Sequence, residues 1–178
     1  MTVKEFFILS DVADTLSIRD QIERLPKPST VGKVHTPVTL NDLSIGELLK
    51  LQSISDARGF VFAPCQILLN IPEEEVYKEE ASQVLGFSVW VAKEVERINK
   101  LFASTNVPLT SEEKRAGAER LNFGAFGLLD YFALRMGIED HEDVERIPWV
   151  RIYKCLDIDS KRTIYQRKLR EILSKENS

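Results

Sequence analysis

The stretch Ala81-Ser82-Gln83-Val84-Leu85-Gly86-Phe87-Ser88-Val89-Trp90-Val91-Ala92-Lys93-Glu94-Val95-Glu96-Arg97-Ile98-Asn99-Lys100-Leu101-Phe102 decides the fold class. Val84, Phe87, Val91, Val95, Ile98 and Phe102 recur three or four residues apart, the spacing that lines one side of an α-helix. A long helix from about Glu80 to Phe102 is therefore expected. Its halves differ. Around Lys93, Glu94, Glu96, Arg97 and Lys100 the back is charged, whereas from Leu85 to Ala92 the apolar residues go all the way round. A helix apolar all round either lies centrally in a core or keeps a face for a partner. Leu85, Phe87, Val89, Trp90 and Val91 are accordingly candidate partner-binding residues, with Trp90 as the anchor whose loss would weaken association.

Upstream, Ser44-Ile45-Gly46-Glu47 is a capping box, in which the Ser44 hydroxyl accepts from the Glu47 amide and the Glu47 carboxylate reaches back. The helix it opens should end near Asp56. Phe60 to Leu69 reads as a buried helix with Pro64 in its first turn, or as a buried strand, because periodicity does not separate the two in a short apolar run. Ile71-Pro72-Glu73-Glu74-Glu75 starts another helix, with carboxylates at the positive end of the helix dipole. Val34 to Leu40 is the best strand, and Pro37 argues for an edge position. Pro26 to Lys33 reads as a linker. In front of it, Phe6, Phe7, Leu9, Val12, Ala13 and Leu16 suggest a helix, continued by Ile18, Ile22 and Leu25.

Downstream, Thr110-Ser111-Glu112-Glu113 is a second capping box. Gly117, Gly124 and Gly127 favour a helix break near Asn122-Phe123-Gly124 over a close helix approach. A helix then runs to Gly137. A short helix begins at Asp140-His141, one opens at Pro148-Trp149, and the last runs from Ser160 to Ser174. Tyr165, Leu169, Ile172 and Leu173 form the expected inner stripe of that last helix.

The expected architecture is all-α, with at most a small β element near residues 34–40. Residues 1–28 form a helical arm, 34–104 a helical core lobe with the short β segment, and 110–178 a C-terminal helical lobe, packed as one globular unit. Val84, Phe87, Val91, Ile98, Leu128, Phe132 and Trp149 are the expected core centre.

Chemistry is sparse. The only histidines are His35 and His141, too few for a usual metal site. Acidic neighbours make His141 a conceivable surface ligand, and a solvated helix start is the simpler reading. No nucleophile elbow or phosphate-binding loop is present. Cys65 and Cys155 lie far apart and read as reduced core residues, with a single disulfide as the alternative. No cofactor, metal or catalytic residue is expected. With 43% hydrophobic residues, a net charge of −4 and no long apolar run, a soluble cytoplasmic protein with no membrane span is expected. From Ser160 to Ser178, Lys161, Arg162, Arg167, Lys168, Arg170 and Lys175 oppose only Glu171 and Glu176. Lys161, Arg162, Arg167, Lys168 and Arg170 are a candidate basic patch for nucleic acid, against the plainer reading of a solvated helix face.

The segment from Val38 to Phe102 resembles tail assembly chaperones of long-tailed bacteriophages. The likeness rests on Val38-Thr39-Leu40 with Ser44-Ile45-Gly46-Glu47-Leu48, then Ile71-Pro72-Glu73-Glu74-Glu75-Val76, then the long amphipathic helix. Leu129-Asp130-Tyr131-Phe132-Ala133, Met136-Gly137-Ile138 and Pro148-Trp149 also look like small phage tail-module proteins. The resemblance implies a non-enzymatic helper that binds a tape measure-like helical protein, in the host cytoplasm if phage-encoded, and carries over no catalytic residue. Self-association is the other use of the apolar half-helix. A nucleic-acid-associated accessory protein, acting through the basic C-terminal helix, is the alternative.

Overall fold

A computed structural model describes residues 1–10 and 20–176. Its elements are α1 (Val3–Ser10), β1 (Thr30–Val31), β2 (Val34–His35), α2 (Ile45–Gln52), α3 (Ala57–Leu69), α4 (Glu73–Val76), α5 (Ala81–Ser104), α6 (Ser111–Arg115), a 3₁₀ turn (Ala118–Arg120), α7 (Gly124–Met136), α8 (His141–Glu145) and α9 (Trp149–Glu176). Helix dominates, and the sheet is one antiparallel pair with Thr30 opposite His35 and Val31 opposite Val34. The fold is mainly α with a small β element. The strands are two residues each, and β1 lies in the stretch read as a linker. Gly32, with φ at +56°, supplies the left-handed turn between them, which an L side chain adopts only with strain.

The chain divides into two compact units, residues 1–40 with 50–97 and residues 41–49 with 98–178. This differs from the lobes expected from sequence, because residues 41–49 group with the C-terminal half.

In the first unit, residues 1–10 do not form a separate arm. Thr2 bridges Glu80, the Val3 amide donates to the Glu79 carbonyl at 3.0 Å, and Ala81 donates to Met1 at 3.0 Å. Val3 is buried, and Phe7 stacks on Phe62, which itself lies 4.7 Å from Tyr77 between ring centroids. The proposed stripe through Val12, Ala13, Leu16 and Ile18 lies outside the described residues. The Pro26–Lys33 stretch is also held in place. A Cβ on Gly86 would lie 2.5 Å from the Pro26 carbonyl, so only glycine lets this backbone meet α5. Phe60–Leu69 is helical. Asp56 caps α3 through the Gly59 amide at 2.8 Å, and Pro64 sits inside the helix rather than in its first turn.

In the second unit, the capping boxes form as expected. Glu47 receives the Ser44 amide at 2.9 Å, and Glu113 receives the Thr110 amide at 2.8 Å. Leu43 to Ile45 runs antiparallel to Ile147 to Trp149, with Ile45 donating to Ile147 at 2.8 Å and Trp149 to Leu43 at 3.0 Å. A Cβ on Gly46 would meet the Cβ of Glu145 at 3.0 Å, which explains the small residue beside the cap. The break before Gly124 is present, with the 3₁₀ turn between α6 and α7. Phe132, Trp149 and Ile152 are buried, but Leu128 is only half-buried and Leu129 takes the inward position. The two helices expected at 148–156 and 160–174 are one. No glycine or proline lies between Leu156 and Ser160, and the Asp157 and Asp159 side chains are engaged by Lys161 and by Tyr131 with Arg135.

Candidate functional site

The residues expected to meet a partner lie inside the first unit. Phe87 is 0% exposed, and Leu85, Val89 and Val91 are buried. The apolar girth of this half-helix is thus taken up by the fold, so these four are core residues and not a docking face. Trp90 keeps some exposure, but it is engaged. Its ring stacks on Phe87 at 5.9 Å, and the Lys27 ammonium sits 4.0 Å over it.

Among the described residues, no three histidines, cysteines or carboxylates come together as a metal site. Both cysteines are free, and burial pushes the Cys65 thiol up to about 12, the opposite of an activated nucleophile. Tyr131 donates to Asp159, and Arg135 donates to the same carboxylate oxygen. Burial, and then the bond to Asp159, push the Tyr131 hydroxyl up to about 12. A phenol held neutral against a paired carboxylate ties α7 to α9 and offers no base. His141 Nε2 lies 3.5 Å from Asp130 Oδ1, with its ring against Phe126.

An open groove of about 620 Å³ in the second unit is lined by Phe102, Val107, Leu121, Phe123, Leu128, Tyr131 and Leu156, among others. Phe123 at its rim is 69% exposed, and nearby Phe126 is 62% exposed. Apart from Tyr131 its lining has no titratable side chain.

The clearest surface feature is α9. Trp149, Tyr153, Leu156, Ser160, Thr163 and Arg167 repeat at intervals of four and three, and all are buried or half-buried. Trp149 and Tyr153 each pack against Phe102 at 6.0 Å. A second set, Ile158, Tyr165, Leu169 and Ile172, follows the same rhythm on the opposite side, at about 100° per residue. Tyr165 is 66% exposed, Ile172 46% and Leu169 40%. The stripe read from sequence as inward therefore faces out. The helix already has a packed seam half a turn away, and one helix cannot turn both faces to the same neighbours. Ile158 was missed altogether, although its seven-residue spacing to Tyr165 and Ile172 is visible in the sequence.

The basic patch is not one surface. Arg167 belongs to the packed seam, where it donates to Glu113 Oε1 at 2.8 Å and to the Pro108 carbonyl at 2.6 Å. Arg162 falls within the outer stripe. Lys161 and Lys168 run along one edge of it with Lys175, and Arg170 lies beyond the other edge. Lys161 and Lys175 also pair within the helix to Asp157 at 2.7 Å and Glu171 at 2.6 Å.

No helix among the described residues is long and apolar enough to cross a membrane. Compared with known proteins, the chain matches no family model, no curated protein and no solved structure.

Proposed function

We propose that the protein is a non-enzymatic assembly chaperone or adaptor that buries a helical segment of a partner protein along the outer face of α9. The observation that carries this reading is the exposed stripe of Ile158, Tyr165, Leu169 and Ile172 on a helix whose other face is already packed. The stripe extends over about 21 Å, some four turns of helix, which is the dimension of a helix-on-helix contact. Tyrosine is among the residues enriched at the energetic centres of such contacts, which makes Tyr165 the natural anchor of the stripe. The phage-type tail assembly chaperone is the specific form suggested by the resemblance over residues 38–102, with a tape measure-like helical protein as partner. Placement in the cytoplasm belongs to the same reading.

Co-expression with the product of a long, helix-rich neighbouring reading frame tests it. A soluble complex that is lost in Leu169→Glu supports the reading, and a complex unaffected by that substitution refutes it. The nucleic-acid alternative is disfavoured by the scatter of Arg167 and Arg170 away from Lys161 and Lys168. Phosphate binding would weaken steeply as salt rises, whereas apolar burial would not.

A further inference from the structure

We infer that the occupant of the α9 outer face is an acidic amphipathic helix, and not a second copy of this chain. This rests on the adaptor reading above and adds the partner's chemistry. With Arg162, the stripe of Ile158, Tyr165, Leu169 and Ile172 completes an unbroken alternation of four and three, the pattern that seats one helix against another. Lys161, Lys168 and Lys175 then fall at seven-residue intervals along one edge of that stripe, all of them exposed. Their carboxylate partners within the helix, Asp157 and Glu171, lie behind them, farther from the apolar line.

This edge discriminates between occupants. Two copies pairing antiparallel would set the lysine row against itself, Lys168 beside Lys168 and Lys161 beside Lys175. Pairing parallel, the lysine row would meet the opposite edge, where Gln166 and Leu173 carry no charge and the Asp159 carboxylate is already held by Tyr131 and Arg135. Like charges across such a seam disfavour the pairing, and unlike charges select the partner. A helix with its own apolar alternation and aspartates or glutamates beside it would meet the lysines and Arg162 with opposite charge, and would be steered to the surface by them.

The test uses the full chain and synthetic helical peptides of identical apolar pattern, flanked by glutamate, by lysine, or by glutamate with the apolar positions scrambled. Fluorescence anisotropy at low salt should show the glutamate-flanked peptide binding at least about tenfold more tightly than the lysine-flanked one, the gap narrowing as salt rises. The scrambled peptide should not bind, and Lys161→Glu/Lys168→Glu/Lys175→Glu should reverse the charge preference. These lysines are solvent-facing, so circular dichroism should show the variant folded. Equal binding of the acidic and basic peptides overturns the charge inference while leaving helix capture standing. Binding of none of them overturns the adaptor reading itself. Sedimentation should find no dimer that dissociates in Leu169→Glu, and finding one overturns the exclusion of a second copy.

Discussion

Arg167 donates to Glu113 Oε1 at 2.8 Å while the other oxygen of the same carboxylate receives the Thr110 amide at 2.8 Å. One side chain thus closes the capping box of α6 and pins the inner face of α9 about two-thirds of the way along that helix. The pair is half-buried, so it is neither fully screened nor fully desolvated. Arg167→Ala should cost about 1–2 kcal/mol of stability. Glu113→Gln keeps a capping-box acceptor but loses the charge, and should cost less. Thermal melting at low and high salt checks both, because only the charge contribution should fade with salt.

Leu85, Phe87, Val89 and Val91 are buried and Tyr165, Leu169 and Ile172 are exposed, the reverse of the expectation from sequence. Phe87→Ala should destabilise by about 3–5 kcal/mol, as cutting a buried aromatic to alanine does. Trp90→Ala loses the stack on Phe87 and the Lys27 contact, and should cost about 2 kcal/mol without altering partner binding. Melting temperature and peptide affinity, measured side by side on the two variants, separate stability from binding.

The close approach at Gly86 can be checked with one methyl group. In an isolated helix, Gly→Ala stabilises by about 1 kcal/mol. At Gly86 the added Cβ would sit 2.5 Å from the Pro26 carbonyl, so backbone must move. Gly86→Ala should therefore be net destabilising, by about 1–3 kcal/mol, in a denaturant titration.

The tie between α7 and α9 predicts a pH window. The Tyr131 hydroxyl, and after it the Arg135 guanidinium, hold the Asp159 carboxyl below its ordinary value of 3.8. That stabilisation is present above pH ~4 and is lost as pH falls through the lowered value. Tyr131, raised from 10.0 to about 12, contributes stability below pH 10 that is lost as pH climbs toward 12. Melting temperature should fall at both ends. Asp159→Asn should flatten the acid limb, and Tyr131→Phe the alkaline one.

Local features were legible in the sequence because their causes are local. Ser44 with Glu47 and Thr110 with Glu113 are three residues apart and formed as expected. The α5 stripe also fixed its own inner face, because Val84, Phe87, Val91 and Ile98 are all buried. Periodicity shows that a stripe exists, not what it faces. Tyr165, Leu169 and Ile172 make a stripe as regular as a core seam, yet they point outward because Trp149, Tyr153 and Leu156 already occupy the packed side. The reverse holds at Leu85 and Val89, which look surplus to one neighbour in the sequence and are buried in the structure. The Gly86–Pro26 approach, 60 residues apart in the chain, left no local signature.

Hydroxyl-radical footprinting, with and without the glutamate-flanked helical peptide, tests most directly whether the outer face of α9 is the partner surface. Oxidation of Tyr165, Leu169 and Ile172 should fall by several fold on binding, while Trp90 and Phe126 keep their rates. Protection centred on Trp90, or unchanged oxidation of Tyr165 at saturating peptide, would contradict it.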